Sequence, residues 1–197
     1  MASLSDFRLD QDPESNPLPV IDGWWHGMMV AFDQSLSNTG FLIVKFSVDG
    51  VHVVSETGMI RTETPASLRG HAANLSRSTA VFRQVVELLE GECPDMVLVE
   101  TPPVGPKMSR PESSLLAADA VFHAVESVNR EHHTQIGYGL GAAQRAKKFL
   151  TGKANADKKA IRDPVLHFLP DLKNYSPLNE HIYDAAAIAL TYAKDHA

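Results

Sequence analysis

Three carboxylates in this chain end or interrupt apolar runs. Asp33 follows Met28, Met29, Val30, Ala31 and Phe32; Glu100 closes DMVLVE; Asp184 is the only charge in DAAAIAL. Removing a carboxylate from water is costly unless a partner meets it, so acids at these places call for a cation. If the three elements pack together, the acids converge, and their repulsion raises a pKa or recruits divalent cations. Hard oxygen ligands favour Mg²⁺ or Mn²⁺ over zinc. Two such ions about 3.5–4 Å apart cleave phosphodiesters, one activating water and the other stabilising the leaving oxygen. His181, three residues before Asp184, would project from the same helix face. Ordinary roles stand beside these: Asp33 as the cap of an Asx turn, acids in a first helical turn as answers to the helix dipole. The dipole accounts for Glu180 better than for Asp184.

The elements that must carry these residues follow from periodicity. Residues 28–44, MMVAFDQSLSNTGFLIV, read as two neighbouring strands joined by a tight polar turn, with Asp33 at the end of the first. The β-rich runs 40–48 and 51–60 flank Asp49-Gly50, a strong hairpin signal, so the chain opens with an antiparallel meander. Residues 66–90 carry Leu68, Ala72, Leu75, Phe82, Val85, Val86 and Leu89 at helical spacing, between Pro65 and Gly91. His71, Arg69 and Arg77 fall on the wet face and take no chemistry. A helical crossover makes the run 95–100 a strand parallel to the first, and right-handedness sets Glu100 near Asp33. TPPVGPKMSRP, 101–111, holds four prolines and a glycine and is an exposed loop at a strand end, where substrates are met. Beyond it come a helix over 113–129, a strand over 134–138, a helix from 141 to 150, a further helix to Phe168 capped by Asn155 or Asp157, a loop over 170–178 and an alanine-rich helix over 179–193.

At 197 residues with 44% apolar content the chain suits one α/β domain, residues 25–197, preceded by a flexible arm, residues 1–24, rich in Asp, Ser, Asn and Pro. Trp24 and Trp25 pin the end of that arm. A single cysteine, Cys93, expected half-buried, excludes an internal disulfide and a multi-cysteine zinc site. No run approaches the ~18–20 apolar residues of a membrane helix, and no basic-then-apolar leader opens the chain, so a cytoplasmic location is expected. The formal net charge of −6 argues mildly against indiscriminate polyanion binding, yet residues 145–162 hold seven cations (Arg145, Lys147, Lys148, Lys153, Lys158, Lys159, Arg162) against Asp157 alone.

Asp33 with SLSNTG after it, VLVE ending in Glu100, AKKFLTGKANADKKAI and HIYDAAAIAL occur here in that order. Together they resemble the RuvC family of Holliday junction resolvases, with its phage-encoded and organellar relatives, over about residues 28–194. The resemblance implies an α/β ribonuclease H-like fold with a mixed five-stranded sheet, an antiparallel meander plus parallel strands, flanked by helices. It implies a homodimer that nicks opposed strands of four-way or branched DNA with two Mg²⁺ per active site, Mn²⁺ substituting. Carried over by position, Asp33, Glu100, His181 and Asp184 are the catalytic and metal-holding residues; the third position is Asp in some members and His in others. Lys147 and Lys158 match basic positions near the scissile phosphate, and Lys107, Arg110, Lys148 and Lys153 join them as expected DNA contacts. Some relatives place an aromatic wedge three residues after the second acid, where this chain has Pro103, next to Pro102. Prolines wedge between bases without stacking as a Phe does.

Three other readings keep most of these residues. A flap or RNA–DNA hybrid nuclease of the same fold differs in substrate, and a non-catalytic branched-DNA-binding module would retain the acids as structure. An ATP-binding domain of the wider superfold lacks Gly-rich phosphate loops.

Overall fold

A computed structural model describes residues 24–48, 52–102, 111–175 and 178–196. The apolar runs on either side of the first turn form β1 (Gly27–Asp33) and β2 (Asn38–Phe46), antiparallel, with Asp33 opposite Gly40. Ser35 and Thr39 close that turn: the Ser35 hydroxyl donates to the Asn38 carbonyl (2.8 Å) and the Thr39 hydroxyl to that of Ser35 (2.7 Å). Asp33 is therefore left to other partners. β3 (His52–Arg61) continues the meander beside β2, with a bulge between Ile43 and Val44. The expected Asp49-Gly50 turn lies outside the described residues.

α1 (Gly70–Glu92) crosses to β4 (Met96–Glu100), which pairs parallel to β1; α2 (Pro111–His132) crosses to β5 (Gly137–Gly141), parallel to β4. The sheet order β3-β2-β1-β4-β5 is the mixed five-stranded arrangement expected. α3 (Ala143–Thr151), a 3-10 turn at Lys159–Ile161, α4 (Arg162–Phe168), a second 3-10 turn at Pro170–Asn174 and α5 (Glu180–Asp195) complete the chain. Asn179 caps α5, its side-chain oxygen accepting from the Ile182 N–H, and Asp157 accepts from the Ala160 N–H ahead of α4.

Strand alternation divides the core in two. Val30, Phe32, Ile43, Val97 and Val99 face α1 and α2; Met29, Ala31, Leu42, Val44 and Leu98 face α3, α4 and α5. The same parity sends Asp33, two beyond Ala31, and Glu100, two beyond Leu98, to the α5 side. Trp24 is buried there among Phe46, Phe149 and Phe168, as its expected pinning role requires.

Several boundaries differ from expectation. α1 starts at Gly70 rather than 66 and runs through Gly91 to a left-handed Cys93, so that Ala73, Val81, Val85 and Leu89 form its buried stripe while Leu75 is exposed. Cys93 is exposed, because it terminates the helix instead of packing in it. His71 bonds Glu112 at 2.6 Å and His132 bonds Glu90 at 3.1 Å, so two exposed clasps join α1 and α2. β5 begins three residues later than the expected strand. Asn129 fixes the backbone of Ile136, and the glycine-rich GYGLG that follows is drawn into the sheet because Gly139 and Gly141 admit Leu98 and Ile188 where a Cβ would collide.

Candidate active site

β1 and β4 end side by side, the last paired residues being Phe32 and Val99. Asp33 and Glu100, one residue further on, point to the same face, and the first turn of α5 passes over it. Gly40, opposite Asp33 on β2, makes that approach possible: a Cβ on Gly40 would lie 2.5 Å from His181 Cβ and 2.9 Å from the His181 carbonyl carbon. His181 Nδ1 consequently lies 2.6 Å from Asp33 Oδ2. Asp184, one turn further along α5, meets Lys158 Nζ at 2.9 Å, and the same ammonium lies 3.5 Å from Glu180. The four expected site residues therefore converge with Lys158 among them.

The charges respond to this crowding. Burial, a hydrogen bond to Asp33 and the charges of Asp33 and Asp184 push the Glu100 carboxyl up from 4.5 to about 8, against the opposing pull of Lys158. Burial raises Asp184 as well; Lys158 and Lys147 draw it back, and Asp33 adds to the rise. Burial alone would lower Lys158, but Asp184, Asp33 and Glu180 outweigh it, so the ammonium is held more firmly charged.

A stability consequence follows from Glu100. Between pH 4.5 and about 8 the folded chain holds a proton there that the unfolded chain has released. Stability therefore falls as pH rises through this window. In chelator, the melting temperature is expected to decline from pH 5 to pH 8, and Glu100→Gln to flatten the decline and exceed wild type at pH 8. An undiminished decline in Glu100→Gln, followed by scanning calorimetry, would assign it to another group.

Of the expected DNA contacts, Lys147 is half-buried on α3 near Asp184, Lys148 and Lys153 are exposed at the end of α3, and Lys158 stands in the acid cluster. Lys107 and Arg110, with Pro103, lie outside the described residues. Arg145 is paired with Asp195 at 2.8 Å. Sequence reasoning missed Gln34 and Gly40. Gln34 is a buried polar residue directly after a strand-end acid, and Gly40 is a glycine inside an apolar strand, a sign of close approach. A separate group, Glu90, Glu131 and His132, has side-chain ligand atoms within 4.8 Å of one another, but it lies on the exposed surface at the C-terminal ends of α1 and α2.

A five-stranded sheet of this order, with acids gathered at the ends of the adjacent inner strands β1 and β4 under a helix that adds His181 and Asp184, is the arrangement of the ribonuclease H-like class. The family model described as crossover junction endodeoxyribonuclease RuvC matches residues 29–192, and the chain belongs to this family. Among solved structures, Thermus thermophilus RuvC superposes with TM-score 0.62 at 22% identity, covering 85% of this chain and 93% of that one. The T. thermophilus RuvC complex with Holliday junction substrate also gives 0.62 at 22%, covering 86% and 96%. The yeast mitochondrial Holliday junction resolvase Ydc2 gives 0.59 at 10% identity, covering 89% and 80%. No curated protein sequence matches. Among the described residues no helix is long and apolar enough to cross a membrane.

Proposed function

We propose that this protein is a divalent-metal-dependent endonuclease that resolves four-way DNA junctions by paired nicks. The observation that carries this reading is the convergence of Asp33, Glu100, His181 and Asp184 in a half-buried site whose acids outnumber the cation among them, with Glu100 pushed up to about 8. A hard divalent cation suits such a donor set. Mg²⁺, or Mn²⁺ in its place, would supply water activation and stabilisation of the leaving oxygen when held by these four side chains.

The chain's own residues perform the remaining tasks. Asp33 and Glu100, fixed on strand ends, set the frame to which α5 brings His181 and Asp184. His181 engages Asp33 through Nδ1, which leaves Nε2 as the ring atom that would meet the cation. Lys158, paired with Asp184 before DNA arrives, and Lys147 beside it meet the scissile phosphate and the charge that develops there. Lys148 and Lys153, with Lys107 and Arg110, hold the flanking backbone. Residues 25–197 constitute the nuclease domain and 1–24 an accessory arm. Two copies related by a two-fold axis match a two-fold symmetric junction, and exposed Leu75 on α1 with Leu115 and Phe122 on α2 supports that helix pair as the self-complementary face.

The test is cleavage of a labelled synthetic four-way junction with Mg²⁺, beside its arms annealed as linear duplexes, a flap and an RNA–DNA hybrid. Symmetric paired nicks on the junction alone are expected. Equal cutting of every substrate replaces junction resolution with a general nuclease, and tight junction binding without cutting in Mg²⁺ or Mn²⁺ replaces it with a binding module.

A further inference from the structure

The geometry points to Gln34 as a positioning residue that sets Glu100 against Asp33. The parallel ladder between β1 and β4 has its last pair at Phe32 and Val99, and the chain leaves the sheet after Asp33. The backbone of Glu100 would then face an empty ladder position on its β1 side. The Gln34 side chain fills it: the Glu100 N–H donates to Gln34 Oε1 at 2.9 Å, and Gln34 Nε2 donates to the Glu100 carbonyl at 2.5 Å. A carboxamide thus stands in for one more peptide of the strand. On the other side Glu100 is in register with Gly141, whose carbonyl accepts from the Thr101 N–H at 2.8 Å.

Gln34 is only 7% exposed, so these bonds are sheltered from competing water. It also follows Asp33 directly in the chain. One residue therefore ties the two acid-bearing strand ends together, and the spacing of their carboxylates depends on it. Few side chains meet the requirement. Asn is one methylene too short, Glu has no donor for the Glu100 carbonyl and adds a further negative charge, and Met fills the space with neither bond.

The fold contains its own control. Asn129 grips Ile136 by the same two bonds, accepting from its N–H at 2.8 Å and donating to its carbonyl at 3.0 Å, at the opposite end of the sheet from the acids. Gln34→Met deletes one such pair and Asn129→Leu the other, together with the bond that Asn129 Oδ1 accepts from the Thr134 hydroxyl at 2.9 Å, so both lower stability, but only the first reaches the site.

This inference rests on the proposed metal-holding role of the four ligands. The experiment measures Mg²⁺ and Mn²⁺ binding by titration calorimetry on the DNA-free protein, and single-turnover nicking at saturating junction, well below each melting temperature. Gln34→Met is expected to weaken metal binding and slow nicking roughly 10- to 100-fold, the effect of removing a support behind a metal ligand, with junction affinity in Ca²⁺ retained. Asn129→Leu is expected to keep wild-type values in both. Wild-type values in Gln34→Met, or an equal loss in Asn129→Leu, overturn the inference. If Gln34→Met does not fold, Gln34→Glu, which keeps the acceptor for the Glu100 N–H, is expected to slow nicking, and a wild-type rate in it overturns the inference. A wild type that binds metal yet nicks no branched DNA removes the proposed function but leaves the binding comparison decisive, and a wild type that binds no metal removes both.

Discussion

Replacing Asp33 by Asn is expected to abolish junction nicking, lowering the single-turnover rate by at least about 10³-fold, the equivalent of several kcal/mol of transition-state stabilisation. Asp33 is the centre of the cluster. It accepts from or bonds to His181 at 2.6 Å, shares a hydrogen bond with Glu100 and acts electrostatically on Glu100, Asp184 and Lys158. Asn keeps the shape and one acceptor but removes the charge a cation requires. Junction binding in Ca²⁺ or chelator should survive or tighten, because one fewer negative charge faces the phosphates. Glu100 should titrate closer to its ordinary value, since Asp33 is among the groups that hold it up. Asp184→Asn is expected to share the loss of nicking. Substantial cleavage by either variant, measured on gel-resolved labelled junctions, removes the assignment of these acids to the chemistry.

The second large effect is expected at a residue that carries no functional group. Gly40→Ala places a methyl group 2.5 Å from His181 Cβ and 2.9 Å from its backbone carbonyl carbon, and backbone at the start of a helix cannot rotate aside. α5 must shift, yet residues 185–190 of that helix are all buried in the core. Overpacking of this kind costs about 1–3 kcal/mol, which for a chain of this size lowers the melting temperature by about 2–10 °C. The functional loss should be disproportionate: a displacement near 1 Å of His181 and Asp184 relative to Asp33 is worth about 10² in rate. Gly91→Ala serves as the contrast. A Cβ there meets nothing within 4 Å, so this change inside α1 should stabilise by up to about 1 kcal/mol and leave nicking unchanged. Wild-type activity in Gly40→Ala would mean that the close approach of α5 is not needed for the site.

Much of the architecture was legible because it rests on local patterns. The apolar runs, the Ser-Asn-Thr-Gly turn and the helical spacings of 66–90 and 113–129 anticipate the element order and the mixed sheet, and the right-handed crossover already sets Glu100 near Asp33 at adjacent strand ends, while the register of Phe32 with Val99 puts both on one face. The least legible element was β5. The expected strand stopped at 138 and the expected helix began at 141, whereas the strand runs Gly137–Gly141 because Leu98 and Ile188 need the space that Gly139 and Gly141 leave. The exposure of Leu75 and Cys93 was hidden for a related reason: helical periodicity indicates that a stripe is buried, but the register of α1 against α2 and the position of its left-handed end decide which stripe.

The sequence by itself determined which residue types are available for chemistry and on which kind of element each one sits: acids at strand ends, a His and an acid three apart on an apolar helix, and lysines on the segment between. Only the tertiary structure decided their pairing. His181 turns to Asp33, Lys158 to Asp184 and Gln34 to the Glu100 backbone through contacts spanning 148, 26 and 66 positions of the chain. The physical reason is that periodicity encodes which face of an element is buried, whereas the partner met on that face depends on crossovers and on how closely two backbones approach. Here that approach is set by the missing side chain of Gly40.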